Sequence, residues 1–254
     1  MRLKVIIPVV LLSISAGVLA FNKLGHNDDP PGRYEVIMNL VGQMLKEGHY
    51  QPKQIDDKFS TEVFNKYLRS LDTEKKFFLK SDVTKLAPLS THIDDELKGA
   101  PIDCFRSINT LIKQRVAEAA TIYPEILSKP FDFTVNEDVT LDPDKMDFPA
   151  DENARKEAWR KVLKYRTLEK LTDLQELRDK EKNKDSIKTD VQLEAEARVK
   201  VKQLYDRYFE RLKNRQNDND RFNLYVNAIT TTMDPHTDYF PPDEKRAFEE
   251  QMAG

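Results

Sequence analysis

The sequence predicts a mainly α, multi-helix domain over residues 33–233, with one extended segment near 131–141. Three observations predict it. Apolar residues recur at helical spacing in one stripe after another from Arg33 to Met233. Alternation with period two stands out in one stretch, "PFDFTVNEDVTLD", where Phe131, Phe133 and Val135 are separated by polar residues. The chain has 254 residues with 39% hydrophobic content, enough apolar side chain for a core.

Residues 21–32 read as a linker, on the strength of the polar, Pro-rich "HNDDPPG" (26–32). Val36, Ile37, Leu40, Val41, Met44 and Leu45 form one amphipathic stripe, and Gly48 stands where a helix C-cap would. Ile55, Phe59, Val63, Phe64, Tyr67, Leu68 and Leu71 form a second stripe. A shorter third helix is expected from Ser81 toward Leu97, and Gly99-Ala100-Pro101 breaks the chain. Phe105, Ile108, Leu111, Ile112, Val116, Ala119 and Tyr123 form a fourth stripe. After the extended segment, Asp142-Pro143 and Phe148-Pro149 read as turns. A long charged helix is expected from Asp151 to about Lys182, with Trp159, Val162, Leu163, Leu171, Leu174 and Leu177 as its apolar positions. "EKNKDSIKTD" reads as an exposed loop, and Val191 to Arg215 as a second long helix with Val199, Tyr205, Tyr208, Phe209 and Leu212. "QNDND" ends in an N-cap, and Phe222, Val226, Ile229 and Met233 carry a last helix. Core packing is the expectation for the Tyr205/Tyr208/Phe209 stripe, and a solvated face for the mixed charges of 152–182.

Composition excludes several classes. Charged residues make up 33% but nearly balance, with net charge −3, which argues against nucleic-acid binding. Cys104 is the sole cysteine, so neither an intrachain disulfide nor a cysteine-built zinc site is available. The N-terminus "MRLKVIIPVVLLSISAGVLAFNK" carries Arg2 and Lys4 before an apolar run and small residues. It reads as a secretory signal, residues 1–20, cleaved after Ala20. An uncleaved anchor is the alternative, because the uncharged run Val5–Phe21 reaches the short end of the range of about 17–25 residues that span a bilayer. Either way the rest of the chain is expected outside the cytoplasm, in the periplasm, and it touches membrane only through that segment if the segment is uncleaved.

Catalytic patterns are missing. Seven glycines are present, and none lies between Gly99 and Gly254. Glycine-rich phosphate loops and Gly-x-Ser-x-Gly elbows are therefore absent. His26, His49, His92 and His236 each stand alone, without a second histidine at ligand spacing. No catalytic residue, cofactor or metal is expected. The one constellation is "TTMDPHTDYFPPDEKRAFEEQMAG" (231–254). If extended, it would place Asp234, His236 and Asp238 on one face, a set able to hold a metal or orient a base. The favoured reading is a turn: Asp-Pro begins it, Thr237 and Asp238 bond local backbone, His236 fastens it, and Asp243 caps the next helix.

"DPHTDYF", followed by proline, a polar stretch and "FEEQMAG", resembles the junction in tail-specific proteases, also called C-terminal processing peptidases. "YLRSLDTEKKFFLKSDV" (67–83) resembles that family's N-terminal segment, in which an Asp ends one helix and a Ser-Asp pair caps the next. "FDFTVNEDVTLD", Trp159 and Lys164-Tyr165 resemble its middle segment. The resemblance implies a periplasmic serine endopeptidase with a Ser/Lys dyad. A PDZ domain and the protease core would come after the junction, and neither is in this chain. It also implies unfolded protein C-termini as partners, bound through that PDZ, and an adaptor lipoprotein as a further partner. Only Asp234, Pro235, His236, Thr237, Tyr239 and Phe240 carry over, as a structural junction at 234–254. On this reading the chain is the N-terminal part of a longer protein. The alternative is a self-standing periplasmic helical binding or scaffold protein.

Overall fold

The computed structural model describes residues 32–180, 188–215, 217–241 and 250. The expected signal peptide, nearly all of the linker, most of the "EKNKDSIKTD" loop and the end of the junction segment lie outside the described residues. Within them are eight α-helices and no strand, in agreement with the mainly α expectation. In order they are α1 (Arg33–Gln43), α2 (Asp57–Leu71), α3 (Lys80–Leu86), α4 (Ile93–Glu96), α5 (Asp103–Leu127), α6 (Glu152–Lys180), α7 (Asp190–Arg215) and α8 (Asp218–Met233). None of these helices is long and apolar enough to cross a membrane.

Helix α2 packs on α8 and α4, and α5 packs on α6, α7 and α8. Helices α6 and α7 form an antiparallel hairpin: Trp159 faces Phe209, and Arg178 reaches Asp190. One apolar core runs through all eight helices. Its aromatics form two tiers. In one, Tyr34 stacks on Phe222 at 4.3 Å and Tyr67 meets Tyr225 at 4.9 Å. In the other, Tyr123 stacks on Phe209 at 4.9 Å and Trp159 meets Tyr205 edge-on at 5.6 Å. The distal half of the hairpin closes a small cluster of its own, Leu171, Leu174, Leu193 and Ala197, with Phe133 laid against it.

Several local expectations need correction. The third helix does not run unbroken from Ser81 to Leu97. It splits into α3, a 3-10 turn Ala87–Thr91 and α4, because Pro88 has no N–H to continue the α ladder. The segment near 131–141 is not uniformly extended. Phe131 and Phe133 pack, but a turn at 133–134 and a bend at 135 leave Val135 exposed, and the Lys164 ammonium holds the Val135 carbonyl at 2.9 Å. The α1 stripe buries Val41 and Leu45 with Met38, whereas Val36, Leu40 and Met44 are exposed. A close approach sets that rotation: a Cβ on Gly42 would stand 2.4 Å from the Leu97 carbonyl oxygen. Gly48 is no left-handed cap; it ends a π-helical turn, Met44–Gly48. Helix α8 begins before Phe222, at Asp218, capped by Asn217 with Asp220 reaching back to its N–H.

Part of the link between α2 and α3, Phe77 to Leu79, is buried, and side chains take up its backbone N–H groups. The Asp72 carboxylate accepts from the backbone N–H of Lys76 at 2.8 Å and of Phe77 and Phe78 at 2.9 Å each. Burial raises the Asp72 carboxyl above its ordinary range, and the three N–H groups pull the other way. Outgoing carbonyls are met in turn. Trp159 Nε1 donates to Lys76 O at 3.0 Å, and Arg155 Nη1 donates to Phe77 O at 3.1 Å. The Leu79 N–H goes to Asp82, and the Lys80 N–H to Pro149 O. Asp82 in turn takes a bidentate grip from Arg115 at 2.7 and 2.8 Å. Glu118 accepts from both Arg115 and Arg155. Burial opposes ionisation of Glu118, but the two guanidiniums outweigh it and hold the carboxyl at about 2.

Glu96, at the end of α4, is fully buried. It accepts from Cys104 N at 2.8 Å and from Tyr225 Oη at 2.6 Å. Burial raises its carboxyl to about 7, with Asp103 and Glu35 adding repulsion. A raised acid stabilises the fold below its unfolded value of 4.5 and loses that contribution as pH rises through about 7. In Glu96→Gln, the amide keeps an acceptor for Cys104 N and does not ionise. The stability gap between the variant and the native protein is expected to move in the variant's favour from pH 5 to 8, by on the order of 3 kcal/mol. Urea unfolding of both across that range checks it; a gap that does not change with pH contradicts the assignment.

Candidate functional site: the junction segment

After Met233 the chain leaves α8 and turns back along it. Asp234 has extended backbone, and its N–H closes the helix on Thr230 O at 3.1 Å. Its carboxylate then accepts from His236 N at 2.7 Å, and Thr237 N bonds Asp234 O at 3.0 Å. These two bonds make a tight turn over 234–237, the geometry that Asp-Pro favours. Because the turn intervenes, Asp234, His236 and Asp238 do not share a face. The Asp234 carboxylate is occupied by local backbone, and His236 and Asp238 are exposed. Among the described residues, no group of three or more His, Cys, Asp or Glu is placed to hold a metal ion.

The returning strand of chain is held by residues that sequence reasoning did not single out. Asn227, inside the last two turns of α8, uses its side-chain amide as a strand partner. It accepts from Tyr239 N at 2.8 Å and donates to Tyr239 O at 3.2 Å. The Tyr239 ring is half-buried against the core. From the other side comes the segment after α1. His49 Nδ1 accepts from Gln51 N at 3.2 Å, so the proton sits on Nε2, which donates to Thr237 Oγ1 at 3.2 Å. Lys53 donates its ammonium to Thr232 O at 2.6 Å, and its N–H meets Met233 Sδ at 2.9 Å. The junction is thus pinned to both ends of the domain. Pro235 is exposed, Phe240 is 56% exposed, and the imidazole that fastens the turn is His49, not His236.

One signal in the sequence points to Asn227. It stands within the apolar run "FNLYVNAIT", where an asparagine is poorly suited to a helix interior unless its amide is used. Nothing of that kind marks His49. Its partner lies 188 residues on, and only the fold brings them together.

Two hydrogen bonds at about 1 kcal/mol each, against a helix-propensity gain of about 0.5 kcal/mol, set the cost of removing the clamp. Asn227→Ala is therefore expected to lower stability by about 1.5 kcal/mol and to speed amide exchange at Tyr239. His236→Ala should change stability by less than about 0.5 kcal/mol. Added zinc or manganese should leave the melting temperature of the native protein unmoved. Stoichiometric metal that is lost in His236→Ala would return the Asp234/His236/Asp238 set to chemistry.

The sequence profile described as "Tail specific protease N-terminal domain" matches residues 41–243, from the last turn of α1 through the clamped turn. A curated relative, the tail-specific protease of Haemophilus influenzae, is 26% identical over 209 residues. That alignment covers 82% of this chain and 28% of the relative, so the chain spans under a third of the protease it resembles. A helical domain matched over this length, ending in that turn, belongs to the family of tail-specific protease N-terminal domains.

Proposed function

We propose that this domain serves an exported tail-specific serine endopeptidase as its non-catalytic N-terminal region. It frames the path along which an unfolded polypeptide reaches a PDZ domain and a Ser/Lys protease core. The observation that carries the reading is the family match over 41–243, which runs into a junction clamped by Asn227, His49 and Lys53. A clamped junction favours this role, because a domain that guides substrate must keep a set orientation to the part that cuts. Export follows from the N-terminal sequence, with cleavage after Ala20 and the periplasm as destination. Unfolded C-termini are the substrates of this reading, reached through the PDZ, with an adaptor lipoprotein as a further partner. Nucleic acid is not one.

Peptide hydrolysis by a serine enzyme needs a nucleophile, a base and an oxyanion hole. Residues 21–254 contain no serine elbow and no glycine-rich turn after Gly99 to form one. The purified 21–254 chain is expected to leave an unfolded protein substrate intact, as read by mass spectrometry of the substrate over time. Cleavage that persists through stringent purification and disappears with a point mutation in this chain would overturn the proposal.

A further inference from the structure

One face of the α6–α7 hairpin carries an open cleft of about 780 Å³, bordered on one side by the 141–146 segment. It lies away from the junction, and its chemistry stands independently of the protease assignment. Its floor is apolar: Val162 from α6, and Val201 and Tyr205 from α7. Leu204, 47% exposed, and Tyr208 continue that surface up the α7 wall. The lining runs from 162 to 173 on one helix and from 200 to 211 on the other. Each stretch is three turns, about 16 Å, the span of about five extended residues.

The charges are unequal. Six cationic side chains line the cleft against three carboxylates, in a chain whose net charge is −3. The three carboxylates are already matched. Glu169 pairs with Arg166 and Asp173 with Lys170, each at 2.9 Å, and Glu74 pairs with Lys76 at 2.6 Å. Lys200 reaches Glu196 on its own helix. Arg207 and Arg211 remain, exposed and in no ion pair among the described residues. They stand one turn apart on the face that also carries Leu204 and Tyr208. Like charges at that spacing repel within a helix, so local stability does not account for them.

We propose that this cleft docks an acidic polypeptide segment of another protein. Apolar side chains of that segment lie on the Val162–Val201–Tyr205 floor, and its carboxylates meet Arg207 and Arg211. Three features favour a peptide. The cleft is long and open rather than closed around a small molecule. Its two uncommitted cations suit bidentate capture of carboxylates. The interspersed Glu74, Glu169 and Asp173 would repel the continuous charge of a nucleic-acid backbone, whereas a peptide can place its carboxylates between them.

The test is fluorescence anisotropy of a dansyl-labelled peptide alternating leucine and glutamate, titrated with the full chain purified after export. Saturable, salt-sensitive binding is expected. It should weaken by about tenfold or more in the Arg207→Glu/Arg211→Glu double variant. Both positions are exposed on a helix, and far-UV circular dichroism verifies that the variant is folded. A peptide with serine in place of leucine should also bind more weakly. The proposal is overturned by the absence of saturable binding, by equal binding of a leucine–lysine peptide, by an unaffected double variant, or by a DNA duplex binding as tightly as the acidic peptide.

Discussion

The rest of the structure hangs on one carboxylate. Asp72 ends α2 and gathers the N–H groups of Lys76, Phe77 and Phe78. That grip draws Phe77, Phe78 and Leu79 into the core as a non-helical segment. Such a segment is otherwise unstable in a helical protein, because its buried backbone groups have no ladder to join. Just before it stands Lys75, the one described non-glycine residue with left-handed backbone, at φ 47°. A conformation of that kind costs about 1–2 kcal/mol, which the surrounding bonds must offset. Hydrogen bonds to a charged acceptor, at about 1.5–3 kcal/mol each, are strong enough to do so.

From that segment the constraint spreads outward. Its free carbonyls are taken by Trp159 and Arg155, which fixes the start of α6 against the α2–α3 link. Its last N–H groups go to Asp82 and Pro149 O, which fixes α3 and the chain entering α6. Arg115 of α5 closes the circuit through Asp82 and Glu118. Burying three charges, with Glu118 half-buried beside them, is a poor way to gain net stability, but loss of any one member leaves its partner uncompensated. The network therefore allows one arrangement of α3, α5 and α6. Lys76, held by its own backbone bonds, lays its ammonium over Tyr208 and Trp159 at the mouth of the α6–α7 cleft. The link that organises the core thus also shapes that cleft.

Much of the fold was legible because helical periodicity is a local property. The stripes of α2, α5 and α7 bury Phe64, Ile108 and Phe209 as their spacing demands. What the spacing does not encode is rotation and termination. Val36 and Leu40 satisfy the same pattern as Val41, yet the Gly42–Leu97 approach turns them outward. Pro88 was visible, but it breaks a helix that periodicity alone extends to Leu97. At the junction the turn over 234–237 follows from Asp-Pro chemistry. The clamp does not, since His49 and Lys53 meet it from the opposite end of the domain. The stripe Tyr205/Tyr208/Phe209 packs on the core as its spacing demands, while Tyr205 and Tyr208 also line the cleft.

The Asp72 carboxylate, rather than apolar burial alone, holds the α2–α3 link in place. Asp72→Ala measures this most directly, by urea unfolding together with amide exchange at Phe77 and Phe78. Loss of about 3 kcal/mol is predicted, with both amides exchanging far faster than in the native protein. A loss below about 0.5 kcal/mol with unchanged protection of Phe77 and Phe78 would contradict it.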